Sequence, residues 1–164
     1  METNYKEYYN KSMNEGEEYQ EFVADALCEK FNIKIEFYKT KHEQYNIGES
    51  KQGFEIKYDK KLKETNNLWI EIAEKTNPKN KDYIPSGIYR EDNSYFYCIG
   101  DYNIIFVFTK EKLKKILNEN KYKIMENNTK TSKGFLLNIF DAYNYCSYCK
   151  NFKKQRRKNE KHVL

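Results

Sequence analysis

Acidic and basic side chains alternate along one short stretch, F-E-I-K-Y-D at 54–59. A strand places alternate residues on opposite faces, so Glu55 and Lys57 are predicted to share a face, with apolar residues behind them. The preceding stretch, G-E-S-K-Q-G at 48–53, is typical of a glycine-bounded turn, which would bring Glu49 opposite Glu55. Two carboxylates at that range repel unless a cation lies between them, and Mg²⁺ is the usual ion for an all-oxygen site.

Two further acids are candidates for the same site. L-W-I-E-I-A-E-K at 68–75 is predicted as a strand in which Glu71 lies between Trp69 and Ala73. With those neighbours, Glu71 is expected to be at least partly buried rather than exposed to solvent. Because charged residues are seldom buried unpaired, a functional role for Glu71 is a candidate explanation. Glu18 flanks the apolar stripe of a predicted helix and could reach a site beneath it. The simpler explanation of Glu18 is the favourable placement of acids near a helix N-terminus.

The elements around these residues predict an α+β fold, a single domain whose central mixed β-sheet is flanked by helices. A length of 164 residues fits one domain. The 134–145 stretch fits a strand or a short helix equally well, and 76–87 is predicted as the longest loop. The other predicted elements are a loose arm at 1–15, a helix from Glu17 to about Lys30, strands at 33–41, 94–100 and 103–109, and a helix at 110–118.

Charge is unevenly distributed along the chain. The whole chain carries +5, whereas 150–164 contains seven Lys or Arg residues and one Glu, a net +6, so 1–149 carries −1. We therefore predict a domain at 1–149, with its core at about 17–118, and a basic C-terminal tail at 150–164. A basic tail of this kind can bind a polyanion or can simply be a solvated end. Its predicted nucleic-acid contacts are Lys153, Lys154, Arg156, Arg157 and Lys158.

The hydropathy of the chain and its cysteines indicate the compartment and exclude some classes of protein. The polar N-terminus and the lack of a run of 18 apolar residues predict an intracellular, cytoplasmic protein without a membrane span. Four cysteines in such a chain do not indicate a disulfide framework. Cys28 and Cys98 are predicted to be core residues. Cys146 and Cys149 form a lone C-x-x-C, which is either structural or part of a metal or redox site.

Other kinds of active site fit the sequence poorly. The glycine spacing of 48–53 resembles a phosphate-binding loop, but Phe54 occupies the position of the required lysine. G-x-S-x-G and H-E-x-x-H are both absent. His42 and His162 are the only histidines, which leaves little material for histidine-based catalysis. Carboxylates and lysine are therefore the candidate chemistry.

The ordered set of residues around this stretch resembles the PD-(D/E)xK nuclease superfamily. Glu55-Ile56-Lys57 stands in the place of the superfamily's E-x-K, which follows an acid on the preceding strand of a meander. The resemblance extends to phage and bacterial members and covers roughly 18–108. The further matching residues are Asp59, Asn67, Glu71, Ser86-Gly87-Ile88 and Tyr95-Phe96-Tyr97.

This resemblance implies a restriction-endonuclease-like core and a Mg²⁺-dependent nuclease, with Mn²⁺ as a substitute. In one register Glu49 and Glu55 bind the metal, Lys57 acts on the attacking water, and Glu71 and Glu18 assist the metal. Glu49 departs from the usual Asp and lies only six positions before Glu55. In the other register Glu55 is the first acid and Glu71 the second, with Ala73 at the lysine position.

The expected partner is nucleic acid, DNA in preference to RNA, and a homodimer is compatible with double-strand cutting. Three alternatives stay open. Glu55 and Lys57 could be cross-strand charge pairs on an ordinary sheet surface. The chain could also be a non-catalytic nucleic-acid-binding module that stacks bases on exposed aromatics. The third alternative is a protein-interaction or inhibitor protein of a phage or other mobile element.

Overall fold

The structure is a computed structural model that describes residues 2–119 and 122–152, with side chains from Met13 onward. The described residues form a mixed α and β fold with two β-sheets and five α-helices. The helices are α1 (Glu2–Phe31), α2 (Lys41–Asn46), α3 (Leu62–Thr65), α4 (Lys110–Asn118) and α5 (Ile139–Tyr145). The strands are β1 (Phe54–Tyr58), β2 (Asn67–Glu74), β3 (Ile84–Pro85), β4 (Phe96–Asp101), β5 (Ile104–Thr109), β6 (Met125–Glu126), β7 (Ser132–Asn138) and β8 (Tyr148–Asn151).

The first sheet, called here the mixed sheet, has the strand order β1-β4-β5-β8. β1 runs parallel to β4, with Glu55 opposite Tyr97, and the other two pairings are antiparallel. β4 and β5 form a hairpin in which nearly every residue is buried, as their continuous apolar sequence predicts. β1 is therefore an edge strand of this sheet, and it carries the E-x-K residues.

The second sheet, called here the antiparallel sheet, has the order β3-β2-β7-β6. It places Glu71 opposite Gly134, and its register shifts between Glu71 and Ala73. The prediction of one central sheet is thus wrong, because the strands bearing Glu55 and Glu71 belong to different sheets. The long-range pairing of β2 with β7 decides this arrangement, and local periodicity carries no information about it.

The core has two parts on either side of the mixed sheet. Helix α1 packs on one face, where Tyr19 and Val23 meet Ile56 and Val107. The antiparallel sheet and α4 pack on the other face. Burying apolar area on both faces of a sheet explains why so many of its residues are apolar. The largest side chains between the sheets and α4 are Tyr97, Phe106, Phe108, Leu113, Phe135 and Leu137.

Several predicted elements near the N-terminus are corrected. The predicted loose arm is helical, because α1 begins at Glu2 rather than Glu17. Extending an existing helix is inexpensive even for a polar sequence without apolar periodicity. The predicted strand at 33–41 is reduced to one isolated bridge, Phe37 with Ser50, and α2 follows it. Thr40 caps α2 in a capping box with Glu43, a sequence signal that favours a helix over strand continuation.

The later part of the chain agrees better with the predictions. The strand at 68–75 and the helix at 110–118 are confirmed by β2 and α4. The 134–145 stretch contains both alternatives, the end of β7 and then α5. β8 crosses the predicted boundary between 149 and 150, and β7 lies beyond the predicted core limit of 118 yet contributes fully buried residues.

Two further predictions concern cysteines and membranes. Cys98 is buried, as predicted, but Cys28 is exposed, so its assignment to the core is wrong. Cys28 lies on the solvent side of α1, one position after the buried Leu27. Within the described residues, none of the helices combines the length and the apolar character that crossing a membrane requires.

Candidate functional site

The turn before β1 has the geometry that its glycines predict. Gly48 has φ +137° and Gly53 has φ +75°, values that side chains rarely adopt. A Cβ at Gly48 would lie 1.9 Å from Oδ1 of Asn93, and one at Gly53 would lie 2.8 Å from its carbonyl oxygen. The glycines therefore let the turn pack against the segment before β4, which brings Glu49 and Asp92 to the same region.

Glu49, Glu55 and Lys57 converge, as the sequence predicts. The Lys57 ammonium donates to Oε1 of Glu49 at 2.8 Å and lies 3.0 Å from Oε1 of Glu55. The other Glu49 oxygen accepts the backbone N–H of Ile56 at 2.9 Å. The ammonium thus occupies the position between two carboxylates where the sequence predicts a cation.

A second lysine completes the cluster from the far side. Lys110, the first residue of α4, places its ammonium 2.8 Å from Oε2 of Glu55 and 3.1 Å from Oδ1 of Asp92. The side chains of Glu55 and Asp92 are 0% exposed and that of Lys110 is 6% exposed, whereas that of Lys57 is 31% exposed. Lys57 is therefore the member of this ion cluster that solvent or a ligand can reach.

The cluster changes the acidities of its members. Burial alone raises the pKa of Glu55, but the charges of Lys57 and Lys110 outweigh burial and hold this pKa below its ordinary value. Burial alone lowers the pKa of Lys57, and Glu49 and Glu55 outweigh it and raise this pKa well above its ordinary value. Glu55 is thus ionised and Lys57 protonated at neutral pH, an arrangement suited to an electrostatic role for the lysine.

Two neighbours reach the cluster from other elements. Gln20 of α1 donates to Oε2 of Glu49 at 3.2 Å. Arg90 contacts Oε1 of Glu74 at 3.0 Å, and the negative charges of Glu55, Glu74 and Glu49 raise the arginine pKa against the lowering effect of burial. Glu18, predicted to assist the metal, is exposed on α1, and burial, followed by the charge of Glu18, raises the pKa of Tyr102.

Glu71 is separate from the ion cluster. Its two oxygens accept hydrogen bonds from the hydroxyls of Ser86 at 2.8 Å and Ser132 at 2.7 Å. The geometry therefore favours the register in which Glu49 precedes Glu55, since Lys57 contacts both of those acids. The Tyr97 hydroxyl accepts a backbone hydrogen bond from Glu71, and burial, followed by the charge of Glu55, raises the pKa of Tyr97.

A cleft of about 760 Å³ opens beside the cluster, where the end of β1 faces the antiparallel sheet. Lys57 and Tyr97 line it from the mixed sheet, and Trp69 and Glu71 line it from β2. A ligand in the cleft can thus reach the Lys57 ammonium, while Glu49 and Glu55 lie behind the lysine.

Two observations test whether these residues fit a metal. No group of three His, Cys, Asp or Glu side chains placed to hold an ion occurs in the part of the chain that the structure describes. However, Mg²⁺ commonly uses only one or two carboxylates, with water and substrate supplying the remaining ligands. Both Glu55 oxygens are buried, and their partners are the ammonium groups of Lys57 at 3.0 Å and Lys110 at 2.8 Å. Glu49 and Glu55 are therefore the two carboxylates that could hold an ion, at the position that the Lys57 ammonium occupies here.

The other predicted sites are the basic C-terminal tail and the C-x-x-C pair. Lys153, Lys154, Arg156, Arg157 and Lys158 lie outside the described residues. Cys146 and Cys149 are free thiols, and burial, followed by the proximity of Cys149, raises the pKa of Cys146 to about 11. A thiol of that acidity is largely protonated at neutral pH and is a poor nucleophile. His162, the other late metal-ligand candidate, also lies beyond the described range.

Sequence reasoning missed Gln20, Asp92 and Lys110. Lys110 opens a predicted helix, where a lysine is ordinarily a solvent residue, and its partner Glu55 is 55 positions away. Asp92 precedes Ser94, whose backbone N–H it accepts at 2.8 Å, so it resembles an ordinary turn residue. The only sequence signal for Asp92 was its place two residues before the predicted aromatic strand. That signal is weak.

Comparison of this chain with models of protein families, with curated proteins and with solved structures found no match.

Proposed function

We propose that this protein is a metal-dependent nuclease of the PD-(D/E)xK type that hydrolyses phosphodiester bonds in DNA inside the cell, with Mg²⁺ as cofactor and Mn²⁺ as a substitute. The observation that carries the proposal is the convergence of Glu49 and Glu55 on the Lys57 ammonium at 2.8 and 3.0 Å. An acid, an E-x-K strand and a lysine reachable from a cleft are the parts that this chemistry needs.

The roles follow from exposure and charge. Glu49 and Glu55 would hold the ion, which would polarise the phosphate and lower the pKa of a bound water. Lys57 is protonated and reachable, so it neutralises charge that develops on the phosphorus oxygens and orients the attacking water. Lys110 keeps Glu55 ionised in its buried position, and Gln20 holds the Glu49 carboxylate.

The proposal includes a restriction-endonuclease-like core formed by α1 and the mixed sheet. Support comes from the helix packed on the E-x-K strand, with Tyr19 and Val23 against Ile56. The resemblance predicts a strand meander before the E-x-K strand, and the structure differs from it. Glu49 lies beside an isolated bridge, and β1 pairs in parallel with β4. The assignment of function therefore rests on the site more than on the topology.

The test is cleavage of labelled branched, duplex and single-stranded DNA with Mg²⁺, Mn²⁺ or EDTA. We expect metal-dependent cleavage that Glu55→Gln and Lys57→Met each reduce at least about 100-fold, the usual effect of removing one group that stabilises transition-state charge. Lys51→Met is the matched control, since Lys51 lies on the same turn but pairs with the exposed Glu36 at 2.8 Å. Its cleavage rate should equal that of the wild type.

Circular dichroism of each variant separates loss of catalysis from loss of fold. Full cleavage by folded Glu55→Gln and Lys57→Met proteins would contradict the proposal. Binding of DNA that EDTA does not affect, without any cleavage, would instead support the non-catalytic binding module.

A further inference from the structure

The cleft beside Lys57 contains an indole in a fixed position. Trp69 donates its backbone N–H to Oδ2 of Asp59 at 2.9 Å and its indole N–H to the Ser132 hydroxyl at 3.4 Å. A Cβ at Gly134 would lie 2.8 Å from Cε2 of the ring, so the ring lies close against the backbone there. One side of the ring is thus supported by β7, and the half-buried side chain lines the cleft.

The surroundings of Trp69 have the character of a binding site for a flat, apolar group. Leu136 and Met125 line the same cleft and are each 40% exposed, although exposed large apolar side chains are expensive in water. The cleft volume of about 760 Å³ lies within the range of roughly 300–1,000 Å³ typical of ligand pockets. A preformed aromatic surface of this size loses little conformational entropy when it binds.

The basic side chains of the cleft lie along one rim. Lys57, Lys60 and Lys61 line the side that belongs to the end of β1 and the residues after it. Four acids also line the cleft, and each has a partner within the protein. Asp59 accepts two backbone N–H groups, Glu71 accepts two hydroxyls, Glu74 pairs with Arg90, and Glu126 accepts the Tyr83 hydroxyl. The positive charge that a phosphate can contact lies on this rim, where Lys57 also pairs with Glu49 and Glu55, and Lys60 also pairs with Glu15.

We propose that this cleft binds one unpaired nucleotide of a nucleic-acid strand, with its base stacked on Trp69 and its phosphates along the lysine rim. If the protein is the proposed nuclease, the bound nucleotide lies next to the cleaved bond, and this part of the inference rests on the proposed function. Binding of the nucleotide does not depend on that function, because it needs no metal and no reaction. A paired base cannot stack on Trp69 without leaving the duplex, which costs unstacking energy.

The site should accept every base about equally. Two of the amides that line the cleft, those of Asn67 and Asn127, are hydrogen-bonded within the protein. Asn67 donates to the Thr65 carbonyl at 2.7 Å, and Asn127 accepts the N–H groups of Thr131 and Ser132 at 2.9 and 3.1 Å. Stacking on an aromatic ring is tolerant of sequence, since each base has a π-face.

The test uses the intrinsic fluorescence of Trp69, the single tryptophan of the chain. The full-length protein is titrated in EDTA with a single-stranded DNA 12-mer, the blunt duplex of the same sequence, an abasic 12-mer and a single-stranded RNA 12-mer. We expect the single strand to quench Trp69 and to bind at least about tenfold more tightly than the abasic strand and the duplex. The RNA titration shows whether the site distinguishes the sugar.

Variants test the ring directly by fluorescence anisotropy of a labelled single strand. Trp69→Ala should weaken binding about 5- to 100-fold, and Trp69→Phe, which keeps a ring and protects the fold, should weaken it less. Tyr95→Ala is the matched control, because Tyr95 is 54% exposed and lies outside the cleft. Its affinity should equal that of the wild type.

Equal binding of the abasic strand, or wild-type affinity in both folded Trp69 variants, would overturn the inference. The two proposals fail separately. Quenching by a single strand in a protein that never cleaves DNA removes the nuclease and leaves the nucleotide site. Metal-dependent cleavage without quenching removes the nucleotide site alone.

Discussion

Glu55 and Glu71 present the same residue type in two regions of the molecule, with different surroundings. Glu55, on the mixed sheet, is 0% exposed and lies between the ammonium groups of Lys57 and Lys110. Glu71, on the antiparallel sheet, is half-buried and accepts two serine hydroxyls. A fully buried carboxylate needs opposite charge to remain ionised, whereas a half-buried one is satisfied by neutral donors.

The different surroundings of Glu55 and Glu71 give the two carboxylates different roles, although both lie on strands with a similar residue pattern. Glu55 takes part in a chain of charges that reaches the cleft through Lys57. Glu71 instead holds Ser132, which accepts the indole N–H of Trp69. We infer that Glu71, predicted from sequence as a metal ligand, is a positioning residue for the cleft wall.

The largest expected effect is on stability, when each acid is replaced by its amide. Glu55→Gln leaves Lys57 and Lys110 without their shared counter-charge, and removing one partner of a buried ion pair costs about 3–5 kcal/mol. Glu71→Gln keeps an acceptor for one hydroxyl and should cost about 1 kcal/mol. Urea unfolding of both variants measures the difference, and equal costs would show that the two environments do not differ as described.

The next effect is the dependence of stability on pH. The folded-state pKa of Glu55 is below its unfolded value of about 4.3, so its contribution is present above that pH and is lost as pH falls through the folded pKa. The folded-state pKa of Lys57 is raised, so its contribution is present below about pH 10.4 and is lost at higher pH. Wild-type stability should therefore fall below pH 4.3 more steeply than that of Glu55→Gln, by up to about 1.4 kcal/mol per pH unit. Parallel urea-derived curves for the two proteins would contradict this assignment.

The smallest effect belongs to the hydroxyl network of the antiparallel sheet. Ser132→Ala removes the hydrogen bond to Glu71 and the acceptor of the Trp69 indole N–H, which should cost about 1 kcal/mol. Faster depolarisation of Trp69 fluorescence should accompany the loss, because the ring is no longer held. Ser147→Ala, at an exposed serine beyond α5, is the control and should change neither quantity. Unchanged fluorescence anisotropy in Ser132→Ala would show that Gly134 alone fixes the ring.

The parts of the fold that could be predicted from sequence are those with strong local signals. The β4–β5 hairpin and α4 follow from apolar periodicity, and Asn138, which caps α5 by accepting the Phe140 N–H at 3.0 Å, marks the change from strand to helix. The stretch at 33–41 alternates like a strand but pairs only at Phe37, because alternation cannot supply a partner strand. The division into two sheets depends in the same way on long-range pairing.

The candidate site, too, could be predicted only where its residues are close in sequence. Glu49, Glu55 and Lys57 could be predicted together because they lie within nine residues and are joined by a glycine turn. Lys110 and Asp92 could not, since their proximity to Glu55 results from packing of α4 and of the segment before β4. Glu71 lies apart from Glu49 and Glu55, because its face of β2 agrees with the prediction but its sheet does not.

The turn that carries Glu49 also caps part of the open edge of β1. β1 is an edge strand, and an open edge ordinarily invites another strand to pair with it. Here the Ser50 hydroxyl accepts the Phe54 N–H at 2.8 Å, and the Glu49 carboxylate accepts the Ile56 N–H at 2.9 Å. These side chains occupy two of the donors that an incoming strand would need, which disfavours strand addition at β1.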